Sequence, residues 1–153
     1  MHIVVARIHL DWISVLIRFF FIIYVRLVIV CGTNDTAFPL NNDMTDENIL
    51  EMFGFYLPIL VREIKLLYPW VKIGIPKVPA NHQASGDLIY RVNTWLFNYC
   101  DFNDVSFLRY EAIIGRDGLH LSDNGKINLI HAVEKFQSEN NQVQQNIVRL
   151  LQF

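Results

Sequence analysis

No glycine precedes Gly32 in this chain of 153 residues, so the segment before it lacks the residue that most readily builds tight turns. Cysteine is nearly absent: Cys31 lies in an apolar run and Cys100 ends a helical pattern, with neither metal-ligand spacing nor the density of a disulfide scaffold. Both are expected as buried or partly buried free thiols, and no metal is called for. Charge is sparse too, at 18% of residues, and 13 basic against 15 acidic side chains leave a net −2 with no dense run of Lys or Arg. That excludes the phosphate neutralisation on which nucleic-acid affinity rests, so nucleic acid is not an expected partner. No internal repeat is visible. What the chain has instead is 52% hydrophobic and 13% aromatic residues, enough for one domain with a real core and too much for disorder.

The apolar excess is greatest at the start. Residues 13–30, "ISVLIRFFFIIYVRLVIV", hold fourteen Leu, Ile, Val and Phe residues. On an insertion scale these contribute roughly −4 to −8 kcal/mol, against up to about +3 each for Arg18 and Arg26 if central. The sum is marginal for a membrane span. If "RLVIVCG" is a buried strand, the remainder is too short for the ~20 residues a span requires. A secretory signal is the other competitor, with Arg7 as its cationic start, but cleavage at "VCG" would cut into the next motif. Membrane association through residues 13–30 is therefore open but not favoured. Residues near 3–9, "IVVARIH", are expected either to extend and pair beside "RLVIV" or to belong to an apolar helix.

From residue 26 onward the pattern alternates. Residues 26–31 are a continuous β-branched-rich run, as in a strand covered on both faces. Ile49, Phe53, Leu57, Leu60, Ile64 and Leu67 then form one helical stripe over 46–67, with Thr45 or Asp46 as N-cap and a kink expected at Pro58. "VKIGIP", residues 71–76, is a second strand. Leu88, Val92, Trp95, Leu96 and Tyr99 mark a helix over 85–99 capped by Ser85. "VSFL", residues 105–108, is a third strand, and "SDNGKINLIHAVEKF" a helix from Ser122 burying Ile127, Ile130, Val133 and Phe136. This βαβαβα order implies an α/β fold with a parallel sheet, crossover helices on its faces, and all strand carboxyl ends on one edge, where such sheets bind ligands.

Three loops reach that edge: "GTND", "PKVPANHQASG" and "RYEAIIGRDGLH". Alone, "GTND" reads as a turn, and in "RDGLHLS" Asp117-Gly118 makes a turn while Ser122 caps a helix. Yet Asp117 and His120, three apart on a loop before a helix, can set a carboxylate against one imidazole nitrogen and leave the other facing a pocket. That is the base-plus-orienter half of an acyl-transfer triad.

"VIVCGTND" and "RDGLHLSDNGKINL", in that order and at that separation, closely resemble two signature blocks of the SGNH (GDSL-type) hydrolases, a superfamily of esterases and lipases. "LLYPWVKIGI" and "RVNTWLFNYC" look similar as well. The resemblance covers roughly residues 26–137 and implies a flavodoxin-like three-layer α/β/α sandwich, an ester as substrate or ligand, and no cofactor. It further implies that Asn34 donates its amide to an oxyanion and that Gly32 permits the tight turn there. Asp35 would tie the loop down by accepting backbone N–H groups, His120 would act as general base, and Asp117 would orient it.

One block of the family pattern is missing. The family's nucleophilic serine stands in a Gly-Asp-Ser block well upstream of Gly-Thr-Asn-Asp, and here Ser14, inside the apolar run "LDWISVL", is the only upstream serine. Ser85 and Ser122 suit caps, Ser106 a strand and Ser138 the tail. The nucleophile is unassigned. The resulting expectation is an N-terminally truncated SGNH-like ester hydrolase domain at 26–137, inactive as written. An atypical apolar segment (1–25) precedes it and a C-terminal tail (138–153) follows. The alternative is a non-catalytic binding or interaction protein that keeps the cleft. His82, in the middle loop, is expected to be solvent-exposed rather than catalytic.

Overall fold

The computed structural model describes residues 4–5, 26–32, 36, 45–82 and 84–138. In chain order its elements are β1 (Val4–Val5), β2 (Arg26–Val30), α1 (Asp46–Leu67), β3 (Lys72–Pro76), α2 (Gly86–Phe102), β4 (Ser106–Leu108) and α3 (Asp123–Ser138). The strands form one parallel sheet in the order β1-β2-β3-β4. Val28 sits beside Gly74 and Ile75 beside Phe107, while Val4 and Val5 pair with Ile29 and Val30. The extended alternative for the N-terminal residues is thus realised at Val4–Val5. The rest of the apolar run through Val25, Ser14 included, lies outside the described residues, as does the tail after Ser138.

Layering follows from handedness. Two successive right-handed crossovers that step in the same direction across a sheet place both helices on the same face. Accordingly, α1 and α2 cover the face carrying Ile29, Ile73 and Ile75, with Ile49, Phe53, Leu57, Leu88, Val92 and Leu96 buried against it. The opposite face, with Val28 and Leu108, is covered by Val133 and Phe136 of α3. The fold is the expected three-layer α/β/α arrangement, and the two-sided burial explains why β2 and β3 read as unbroken apolar runs.

Helix boundaries match their caps. The Thr45 hydroxyl accepts the Asn48 N–H at 3.2 Å and the Asn48 side chain accepts the Thr45 N–H at 3.1 Å, a reciprocal capping box. Thr45→Ala should therefore cost about 1 kcal/mol in a denaturant melt; an unchanged midpoint would show the box to be idle. Ser85 accepts the Leu88 N–H, and Ser122 accepts the Gly125 N–H at 3.2 Å. Pro58 lies within α1, which is a single helix from Asp46 to Leu67.

Two expectations about burial need correction. Ile127 and Ile130 are 47% and 41% exposed, and Leu67 is 46% exposed. In α3 the stripe facing the sheet is Gly125, Leu129, Val133 and Phe136, and Ile127 and Ile130 lie well round the helix from it. The Phe136 ring settles this choice by packing into the space left by the missing Cβ of Gly74. Leu67 is the last residue of α1, and its neighbours Ile64 and Tyr68 pack against the core in its place. Both cysteines are buried, as expected, and burial pushes the Cys100 thiol up to about 12, which keeps it protonated and inert.

Candidate active site

Parallel strands bring the loops after β2, β3 and β4 to one edge. The orientation of α3 confirms which edge its first turn reaches: the Arg26 guanidinium, at the start of β2, donates to the Phe136 carbonyl and lies 5.4 Å from the Phe136 ring centroid. The far end of α3 therefore lies at the amino edge of the sheet. Its first turn, with the 115–122 loop before it, lies at the carboxyl edge.

That loop is tightly built. Ile114 and Leu121 form an antiparallel bridge, the Ser122 N–H donates to Ile113 O at 2.8 Å, and the Gly115 N–H donates to His120 O at 2.7 Å. Within the turn, Asp117 Oδ1 accepts the N–H groups of Leu119 and His120, each at 3.0 Å, and Asp117 Oδ2 stands 2.6 Å from His120 Nδ1. These bonds, the Leu119 N–H foremost, then the imidazole and the His120 N–H, bring the Asp117 carboxyl down to about 2. An ionised carboxylate can only accept, so Nδ1 carries the proton, and a neutral imidazole presents its lone pair on Nε2. The His120 side chain is 72% exposed, so it is accessible to a ligand.

The sign of the pH dependence follows. Because the folded-state value is depressed, the contribution of Asp117 to the turn is fully present above the ordinary carboxylate value of 3.8 and is lost as pH falls through about 2. In an acid titration followed by NMR, the Leu119 and His120 amide resonances should share an inflection near 2; an inflection near 3.8 would show that the carboxylate is not held this way.

At the end of β2, Gly32 is buried at φ +99°, with Val78 Cγ2 only 2.5 Å and Phe53 Cζ 3.0 Å from where a Cβ would stand. The Thr36 N–H donates to Gly32 O at 2.9 Å and the Thr36 hydroxyl donates to the same oxygen at 2.8 Å. Asn34 and Asp35 lie outside the described residues, so their expected roles stand as proposals.

The middle loop touches both of the others. Asn81 Nδ2 donates to Thr36 Oγ1 at 3.2 Å, and both residues are buried. One residue on, the His82 N–H donates to Gly118 O at 2.7 Å, and the His82 imidazole lies where a Gly118 Cβ would be. His82 is solvent-exposed, as expected. Thr36 and Asn81 were not singled out in the sequence. The one usable signal was local: Asn81 three residues before Ala84, whose N–H its Oδ1 accepts at 2.8 Å, is an Asn-turn pattern. The partner across the sheet edge carries no such signal. Among the described residues no group of three or more His, Cys, Asp or Glu side chains could hold a metal ion. Nor is any helix among them long and apolar enough to cross a membrane.

No protein-family model matches the chain, and no curated protein matches it in sequence. Among solved structures it is similar to the esterase domain of the ORF1 protein from the zebrafish ZfL2-1 retrotransposon, with a TM-score of 0.50 and 20% identity, over 72% of this chain and 67% of that one. At that identity the likeness is one of fold: this chain shares the α/β architecture of an esterase domain.

Proposed function

We propose that the chain is an SGNH (GDSL-type) ester hydrolase domain working by acyl transfer, with His120 as general base, Asp117 as its orienter and Asn34 as oxyanion donor. Gly32 and Asp35 support the oxyanion turn, no cofactor takes part, and the partner is a small-molecule ester. The observation that carries this reading is the 2.6 Å Asp117–His120 pair on a loop at the carboxyl edge of a parallel sheet. His120 Nε2 would take the proton of an attacking hydroxyl, while Asp117 stabilises the imidazolium that results. The esterase-domain likeness of the fold supports the same class.

Among the described residues no serine is assigned as the attacking hydroxyl. Ser85 Oγ donates to Asp46 and caps α2, Ser122 Oγ caps α3, Ser138 Oγ donates to Lys135 O, and Ser106 lies in β4. With these four serines in caps, a strand and a helix end, and Ser14 outside the described residues, the sequence as written is expected not to turn over esters. The same observation favours a second reading, a non-catalytic protein that binds an ester or related ligand in the retained cleft. The test is hydrolysis of short-chain nitrophenyl esters by the chain as written and by a form given an upstream segment with a Gly-Asp-Ser loop. Activity that appears only in the second form, and depends on His120, supports the hydrolase. Its failure to appear, with ester binding retained, supports the binding protein.

A further inference from the structure

Asn81 and His82 are adjacent in sequence, yet they bond to opposite halves of the candidate site. The Asn81 amide donates to the Thr36 hydroxyl, which in turn donates to the Gly32 carbonyl at the end of β2. The His82 N–H donates to the carbonyl of Gly118, the residue that follows the orienting Asp117. We propose that the loop after β3 is the tie that sets the oxyanion-side turn at a fixed distance from the Asp117–His120 turn, with Asn81 as its positioning residue. This rests on the hydrolase reading for its purpose, though not for its geometry.

The tie can only transmit position if it is itself held, and three bonds hold it. Asn93 of α2 clamps Val78 from both sides, with Oδ1 accepting the Val78 N–H at 2.8 Å and Nδ2 donating to the Val78 carbonyl at 2.9 Å. Asn81 Oδ1 accepts the Ala84 N–H at 2.8 Å just ahead of the Ser85 cap. The loop is thereby anchored to the body of α2, and its Val78 side chain fills the space over Gly32. The Asn81–Thr36 bond is shielded from water, Thr36 being fully buried, so competition from solvent does not loosen it. The Asp117–His120 pair, by contrast, is closed within one turn and needs no help to form. Its place relative to β2 is set on one side by α3, which packs on Val28, and residues 81 and 82 add a direct link at the carboxyl edge.

The test uses the unaltered full chain and its variants in solution NMR, without turnover. Asn81→Asp keeps an acceptor for the Ala84 N–H but, when ionised, cannot donate to Thr36. It should shift the Gly32 and Thr36 amide lines and also those of Gly118 and His120, together with the His120 Nδ1–H line. Thr36→Val should reproduce the distant shifts, and Thr36→Ser, which keeps the hydroxyl, should leave them in place. A purely local structural role would confine every change to residues 32–36 and 81–84, and that result in folded variants overturns the proposal. If the variants do not fold, amide exchange in the unaltered chain decides: the Thr36 and His82 N–H groups should open together, with protection within about tenfold of each other. Exchange of His82 orders of magnitude faster than Thr36 would show two independent loops. Because neither measurement needs an ester, a chain that holds its loops together but never cleaves one sinks only the hydrolase reading.

Discussion

His120→Ala, in a chain given an upstream Gly-Asp-Ser loop, is expected to lower kcat by about 10³–10⁴-fold, because it removes both the base that activates the serine and the acid that protonates the leaving group. Asn34→Ala in the same background should cost about 10²–10³-fold, the usual value of one oxyanion donor. The two losses should not simply multiply, since groups that act on one transition state fail together. KM should change far less than kcat in both variants, because neither group contacts the ground-state ester strongly. Steady-state kinetics on nitrophenyl esters, with melts to show that each variant is folded, measures all of this. A restored chain that hydrolyses esters equally well with His120→Ala would remove His120 from the mechanism. Should the unaltered chain hydrolyse esters and Ser14→Ala abolish it, Ser14 is a relocated nucleophile and the reading of the N-terminal segment as unrelated to catalysis fails.

Gly32→Ala is expected to destabilise the fold by about 2–6 kcal/mol, combining backbone strain with overpacking. The backbone there sits at φ +99°, a conformation that L side chains rarely adopt. The added methyl would also meet Val78 Cγ2 at 2.5 Å and Phe53 Cζ at 3.0 Å. Phe53 is anchored in the core between α1 and the sheet, and Val78 is held by Asn93, so neither side chain can give way cheaply. Equilibrium denaturation should show the loss as a lower midpoint with an unchanged slope. A loss under about 0.5 kcal/mol would mean that the turn relaxes freely, which would contradict its packing in the structure.

Sequence patterning reached most of the fold because periodicity and caps are local properties. Thr45, Ser85 and Ser122 each bond to an N–H three residues on, and the apolar stripes of α1 and α2 repeat with the helical turn. The Asp117–His120 pair was legible for the same reason, being closed within three residues. Its neighbours in space were not. Nothing in "PANHQASG" indicates that Asn81 reaches Thr36, 45 positions away, or that His82 bonds to Gly118.

The sequence by itself determined the order of elements from β2 onward, their caps, the two-sided burial of the strands and the internal geometry of the Asp117–His120 turn. Each of these is set by residues within about one helical turn or one strand of each other. Only the tertiary structure decided which apolar face of α3 meets the sheet, leaving Ile127 and Ile130 exposed, and which loop ties the others together. The physical reason is that several helix rotations satisfy the same amphipathic pattern, and side-chain packing between distant segments chooses among them. Here the missing Cβ of Gly74 admits the Phe136 ring, and that long-range fit joins the burial of Val133 and the close approach of Gly125 to Ile113 in setting the face of α3.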